Sequence, residues 1–211
     1  MNINREYRLG KSQYYPEPQS KRHIYLHHTV SGSWRSVWDW WNQDPQRIGT
    51  AFVIDKDGTI YEIFDPYYWA HHLGCKAPGN LAANQQSIGI EIVSEGQLAE
   101  SNGEWFWFSG KARYKSSTKD IVDVGEWRGA RFFDAYDAPQ IDALCELVPR
   151  LCQDYGIDPV LLLPDGQRND YRPDLLTSTD KGILTHCNVR QDKTDVHPLF
   201  PWPIFEKALR G

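Results

Sequence analysis

Ser87-Ile88-Gly89-Ile90-Glu91-Ile92-Val93 is apolar on both sides of one carboxylate. It lacks the alternation of a half-buried strand, so it reads as a central strand covered on both faces, as in a sheet sandwiched by helices. A carboxylate there is unfavourable unless paired or functional, which makes Glu91 a first candidate for chemistry. Upstream, Ile24-Tyr25-Leu26-His27-His28-Thr29 is a second β-type run that ends in polar groups. Ser31-Gly32-Ser33 then supplies turn and N-cap residues, and Trp34, Val37, Trp38 and Trp41 follow at the spacing of one helix face.

Between these two runs, Ala51 to Asp55 and Thr59 to Phe64 flank Lys56-Asp57-Gly58, the signature of an antiparallel hairpin. Asn102-Gly103 predicts a second hairpin inside a long aromatic-rich excursion, about residues 97–135. A helix is expected from near Asp137, with Pro139 in its first turn and Gly156 closing it, and Pro149 should kink or divide it. Ile183 to His186 reads as a last short strand and Pro201 to Leu209 as a terminal helix. Residues 1–22, polar and carrying Pro16 and Pro18, read as an N-terminal arm, leaving 23–211 as the folded domain. The expected fold is α/β: one domain with a central mixed β-sheet flanked by helices and a functional site at the strand ends.

The chain has 211 residues, 40% hydrophobic and 24% charged, a globular balance that fits one domain. A net charge of −5 disfavours partners recognised through phosphate, so no nucleic acid partner is expected. No apolar run is long enough to span a membrane. Nine Trp fit either a stacking surface or a core of large flat side chains, and composition does not separate the two. The four Cys form no C-x-x-C pair and read as reduced thiols. Met1 to Tyr7 lacks an apolar signal region, so synthesis in the cytoplasm without a signal peptide is the expectation.

Three groups sit where strands end: His27 with His28 and Thr29, His186 in Thr185-His186-Cys187-Asn188, and Asp195 in Lys193-Thr194-Asp195. Two imidazoles and a carboxylate suit a catalytic Zn2+, because three protein ligands leave the fourth tetrahedral position open for water. Spacing alone leaves other uses open.

Together with Gly49 to Gly58, Trp69 to Gly74, Ser87-Ile88-Gly89-Ile90-Glu91 and the stretch His186 to Trp202, these groups resemble the zinc-dependent N-acetylmuramoyl-L-alanine amidase family, relatives of phage-lysozyme amidases and peptidoglycan recognition proteins. The resemblance implies that His27, His186 and Asp195 hold one Zn2+, with His28 a packing residue on the other side of the strand. It implies hydrolysis of the amide between N-acetylmuramic acid and L-alanine of peptidoglycan, with Glu91 as general base and Lys193 stabilising the oxyanion. Where one branch carries a catalytic Tyr, this chain has Thr50, so the base role falls to Glu91 alone and Thr50 joins the substrate side. His72, favoured over His71 by its spacing to Gly74, would contact substrate, and Trp69 would line a glycan or peptide groove.

The implied protein is a monomeric phage or prophage endolysin that reaches the wall after holin-type release. Alternatives are a cytosolic amidase recycling anhydro-muropeptides, a non-catalytic peptidoglycan-binding module, and a zinc-stabilised interaction protein whose fourth ligand would be Cys187 or His197. The excursion at 97–135 is expected to extend the substrate groove.

Overall fold

The computed structural model describes residues 3–211, and among them eleven strands fall into two sheets. The strands are β1 (Ile3–Asn4), β2 (His23–His28), β3 (Phe52–Ile54), β4 (Ile60–Glu62), β5 (Ser87–Ile92), β6 (Gln97–Ser101), β7 (Glu104–Ser109), β8 (Ala112–Lys115), β9 (Ile121–Trp127), β10 (Ala130–Asp134) and β11 (Gly182–Thr185). The helices are α1 (Trp34–Trp41), α2 (Asn80–Gln85), α3 (Ala138–Tyr155), α4 (His186–Val189) and α5 (Trp202–Arg210).

The main sheet runs β1-β4-β3-β5-β2-β11. β5 is central, parallel to both β2 and β3, and its apolar residues are fully buried. Only the β3–β4 hairpin is antiparallel, so the sheet is mixed as expected. The register places His27 directly beside Glu91, which brings the two candidate residues together at the same end of the sheet.

Ser33 caps α1 by accepting the Arg35 N–H at 3.2 Å. Asp137 and Gln140 form a capping box at the start of α3, and the Gln140 amide also donates to the carbonyls of Val93 (2.8 Å) and Ile54 (3.3 Å), fixing the helix to the sheet. Of the two outcomes expected at Pro149, division does not occur: α3 runs unbroken for 18 residues. Leu144, Leu147, Val148, Leu151 and Cys152 are buried around it, and packing of that face outweighs the roughly 3 kcal/mol that an interior proline costs.

Residues 97–134 form a second, wholly antiparallel sheet, β8-β7-β6-β10-β9, so the excursion is a folded layer with its own hairpin at Asn102-Gly103. The hairpin turn works because Asn102 and Gly103 both adopt positive φ, 56° and 77°.

The arm expected at residues 1–22 is a correction. Met1 and Asn2 lie outside the described residues, but from Ile3 onward the segment is built into the sheet. β1 extends β4, Leu9 and Tyr14 belong to the main core, and Tyr14 stacks on Phe64 at 5.2 Å. Arg5 and Arg8 both pair with Glu62, and Tyr15 stacks on Trp69 at 3.9 Å. Lys21 is buried with its ammonium donating to the carbonyls of Tyr68 and Gln85, both at 2.8 Å, and burial lowers its pKa to about 7. The segment carries too few periodic residues to signal an element; its contribution comes from single side chains that fill gaps along one edge. Leu9→Ala is therefore expected to lower stability by about 2–4 kcal/mol in urea unfolding, whereas a detached arm would change it by less than about 0.5 kcal/mol.

Candidate active site

His27 is near the end of β2, His186 begins α4 directly after β11, and Asp195 follows on the next loop. Thr185 and Asn188 form a capping box around that short helix, which turns the chain so that the His186 ring faces β2. His27 Nδ1 and His186 Nδ1 lie 3.0 Å apart, and Asp195 Oδ2 is 3.0 Å from His186 Nδ1 and 3.3 Å from His27 Nδ1. All three side chains are buried.

The surroundings decide which atoms carry lone pairs. Ser87 has one hydroxyl hydrogen, and it is donated to the carbonyl of Ala83 at 2.6 Å. Its oxygen must then accept from His72 Nε2 (2.9 Å), which leaves His72 Nδ1 as an acceptor for His27 Nε2–H (3.0 Å). His27 Nδ1 is consequently bare. The other imidazole is fixed in the same sense, because His186 Nε2 donates to the carbonyl of Leu73 at 2.8 Å. Two bare nitrogens and a carboxylate oxygen thus converge on one point, a combination that repels itself unless a cation lies between.

Burial, then the neighbouring His186, lowers His27 to about 4, and burial holds His72 well below its usual value, so both stay neutral. Ligand atoms bound at 2.0–2.2 Å to a tetrahedral ion sit roughly 3.3 Å apart, close to the spacings here. The donor set fits a divalent metal. Among the described residues no fourth ligand joins it. Cys187 Sγ turns toward Thr185 and Asn169, its thiol pushed up to about 11 by burial, and His197 stacks on Tyr136 at 4.7 Å. His28 also stays outside the group, with Nδ1 3.0 Å from the Tyr136 hydroxyl.

Glu91 faces the same cavity, about 880 Å3, which is also lined by His27, His72, His186, Lys193 and Asp195. Its Oε2 is buried without a hydrogen-bond partner. Burial, with Asp195 adding to it and Lys193 opposing, pushes Glu91 up to about 8, so the group binds a proton more strongly than an exposed carboxylate. Gly89, two residues earlier on β5, is needed for clearance: a Cβ there would stand 2.7 Å from the Thr50 methyl and 3.2 Å from His72 Nδ1.

Of the expected substrate-side residues, His71, His72 and Thr50 line the cavity and Trp69 does not. Both nitrogens of His72 are engaged inside the protein, one with Ser87 and one with His27, which orients the His27 ring. Thr50 lines the cavity but is buried, and its hydroxyl is committed to the Phe52 carbonyl at 2.9 Å. Trp69 is buried under Tyr15 and does not line the cavity; it packs edge-on against His71, which does. His71 Nε2 is 3.3 Å from the Tyr15 hydroxyl. The roles of Ser87 and the Leu73 carbonyl have little signal in the chain: Ser87 shows only as a small polar residue opening a buried strand, and a carbonyl leaves no residue mark at all.

A mixed β-sheet flanked by helices, with a buried His/His/Asp group that could hold a metal ion and a carboxylate facing the same cavity, is the arrangement of a candidate hydrolase site. Residues 17–198 match the family model of N-acetylmuramoyl-L-alanine amidases, and the chain belongs to that family. It is an amidase acting on peptidoglycan. Solved structures of similar fold include a mutant of PlyL (14% identity, 100% of this chain and 99% of that chain, TM-score 0.56). Another is the N-acetylmuramoyl-L-alanine amidase LysC from Clostridium intestinale (16%, 100% and 98%, TM-score 0.52). A third is the amidase AmiD from E. coli in complex with the substrate anhydro-N-acetylmuramic acid-L-Ala-D-gamma-Glu-L-Lys (20%, 91% and 58%, TM-score 0.55). At these identities the likeness is one of fold. No curated protein matches the chain.

If His72 fixes the His27 tautomer, His72→Phe should weaken zinc binding by about 10- to 100-fold in a titration against a chromophoric chelator, with the fold intact by circular dichroism. Unchanged affinity would assign His72 to substrate instead.

Proposed function

We propose that the chain is a zinc-dependent endolysin of a phage or prophage that cleaves the amide between the lactyl group of N-acetylmuramic acid and the L-alanine of the stem peptide. The observation that carries the reading is the convergence of His27 Nδ1, His186 Nδ1 and Asp195 Oδ2 on one point beside the unpartnered Glu91 Oε2. Zinc bound there would polarise the scissile carbonyl and lower the pKa of water.

The protein's own groups do the rest. Glu91 takes a proton from the attacking water and returns it to the leaving amine, and its desolvated setting strengthens it as a base. Lys193, on the cavity wall, places its ammonium near the oxygen on which charge develops. Thr50, with its hydroxyl already committed, takes no part in proton transfer.

Phe108, Ser109 and Gly110, at the turn between β7 and β8, reach the wall of the same cavity, as does Trp40 of α1. Phe108 and Trp40 are exposed, 42% and 54%, which is unfavourable for such side chains unless something covers them. Sugar rings have apolar faces that match, and these two aromatics extend the groove toward the glycan strand. The reading includes a monomer made in the cytoplasm that reaches the wall after holin-type release.

On purified peptidoglycan, release of stem peptides beginning with L-alanine is expected from the wild type, lost on chelation and restored by zinc. Glu91→Gln should lower kcat by about 10^2- to 10^4-fold while retaining zinc. Intact glycan-linked peptides from a zinc-loaded, folded wild type would instead identify a binding module, and cleavage confined to soluble anhydro-muropeptides would identify a recycling enzyme. Phe108→Ala is expected to raise KM on intact walls by about five- to ten-fold and to leave a small soluble muropeptide unaffected; equal effects on both would remove the glycan contact.

A further inference from the structure

The turn between β9 and β10 is Arg128-Gly129, with Trp127 paired to Ala130 and φ of 51° and 76° at the two turn residues. A two-residue turn with positive φ at both positions favours Asn, Asp or Gly first, as Asn102-Gly103 shows in the same sheet. Arginine is a poor backbone choice there, so the reason for it lies in its side chain.

That side chain leaves the inserted sheet and reaches the segment that carries two of the metal-site residues. Nη1 donates to the carbonyls of Lys193 (2.7 Å), Gln191 (3.1 Å) and Arg190 (3.2 Å). Nη2 donates to those of Cys187 (3.0 Å) and Asn169 (3.1 Å). One planar cation therefore gathers five main-chain carbonyls, four of them within the stretch bounded by His186 and Asp195. Cys187 follows His186 directly, and Lys193 is two residues before Asp195. The Cys187 N–H also donates to the Asp195 carbonyl at 2.9 Å, closing the same loop. Carbonyls at the end of α4 would otherwise face one another with like partial charge, and a guanidinium fork satisfies them together.

We propose that Arg128 is a positioning residue for the metal site: through these carbonyls it sets the separation of His186 from Asp195 before any ion arrives, and it presents Lys193 at the cavity wall. The inserted sheet is then part of the metal centre's support as well as a groove wall. This inference rests on the zinc reading above. Without the fork, the loop must be ordered when the ion binds, and that ordering is subtracted from affinity.

Three variants test this. Arg128→Asn supplies a residue the turn prefers while removing the fork, Arg128→Lys keeps the charge without the fork, and Arg131→Ala breaks an exposed ion pair with Asp123 and a cation–π contact with Phe132 on the same hairpin. Zinc affinity is read by chelator competition, and hydrogen exchange across residues 186–196 is followed in metal-free protein. Arg128→Asn should bind zinc at least about 10-fold more weakly, exchange faster in that segment, and lose kcat with little change in KM. Arg128→Lys should fall between it and the wild type, and Arg131→Ala should match the wild type.

Wild-type affinity and exchange in Arg128→Asn would overturn the proposal, as would an equal loss in Arg131→Ala. A wild type that binds no zinc would defeat the metal reading separately, and the exchange comparison would still decide whether Arg128 orders the loop.

Discussion

Two imidazole nitrogens 3.0 Å apart, both stripped of hydrogen by what their far sides touch, are the feature around which the protein is organised. The condition is set far from the site itself. It begins at the Ala83 carbonyl, which takes the only hydroxyl hydrogen of Ser87, and passes through His72 to His27. On the other side a single carbonyl, that of Leu73, does the same for His186. The links are buried at Ser87 and His186 and half-buried at His72, where an unmade hydrogen bond costs about 1–3 kcal/mol, so the proton order is enforced by the fold.

The sheet makes this possible by bringing distant segments to one edge. β2 and β5 are parallel, so His27 and Glu91 end up side by side at the carboxyl ends of their strands, where open α/β sheets characteristically leave a crevice. β11 joins the other side of β2 and delivers His186 to the same level. The close approach of Thr50 and His72 to β5 leaves no space for a side chain at position 89, which ties the glycine of Ser87-Ile88-Gly89-Ile90-Glu91 to the packing around His27. Glu91 is held in a setting where ionisation is resisted by burial and favoured by Lys193, a balance suited to taking and returning a proton.

The second sheet changes how the molecule is understood. In sequence it is an aromatic interruption between β5 and α3; in the structure its ends meet the catalytic layer at two points. One is the turn after Phe108, at the cavity wall, and the other is Arg128, against the loop of Lys193 and Asp195. The buried Asp134 adds a third tie, since it pairs with Lys56 from the β3–β4 turn and accepts from the Glu95 N–H at 2.7 Å.

Much of the site is legible in the chain because its chemistry is written in residue types. A lone carboxylate in the apolar run 87–93, histidines at strand ends, and the Lys193-Thr194-Asp195 group all stand out from their neighbours in the linear sequence, and the hairpins at 56–58 and 102–103 follow from turn chemistry alone. Local pattern was enough to specify the principal strands, their buried faces and several of the residues that meet at the cavity. Long-range packing settled the rest: residues 3–22 fill the sheet edge, His72 contacts His27, Trp69 is buried, and Arg128 grips the loop between His186 and Asp195. These outcomes depend on contacts between residues far apart in the chain, often to main-chain carbonyls, and a carbonyl is the same in every residue, so local sequence carries no mark of it.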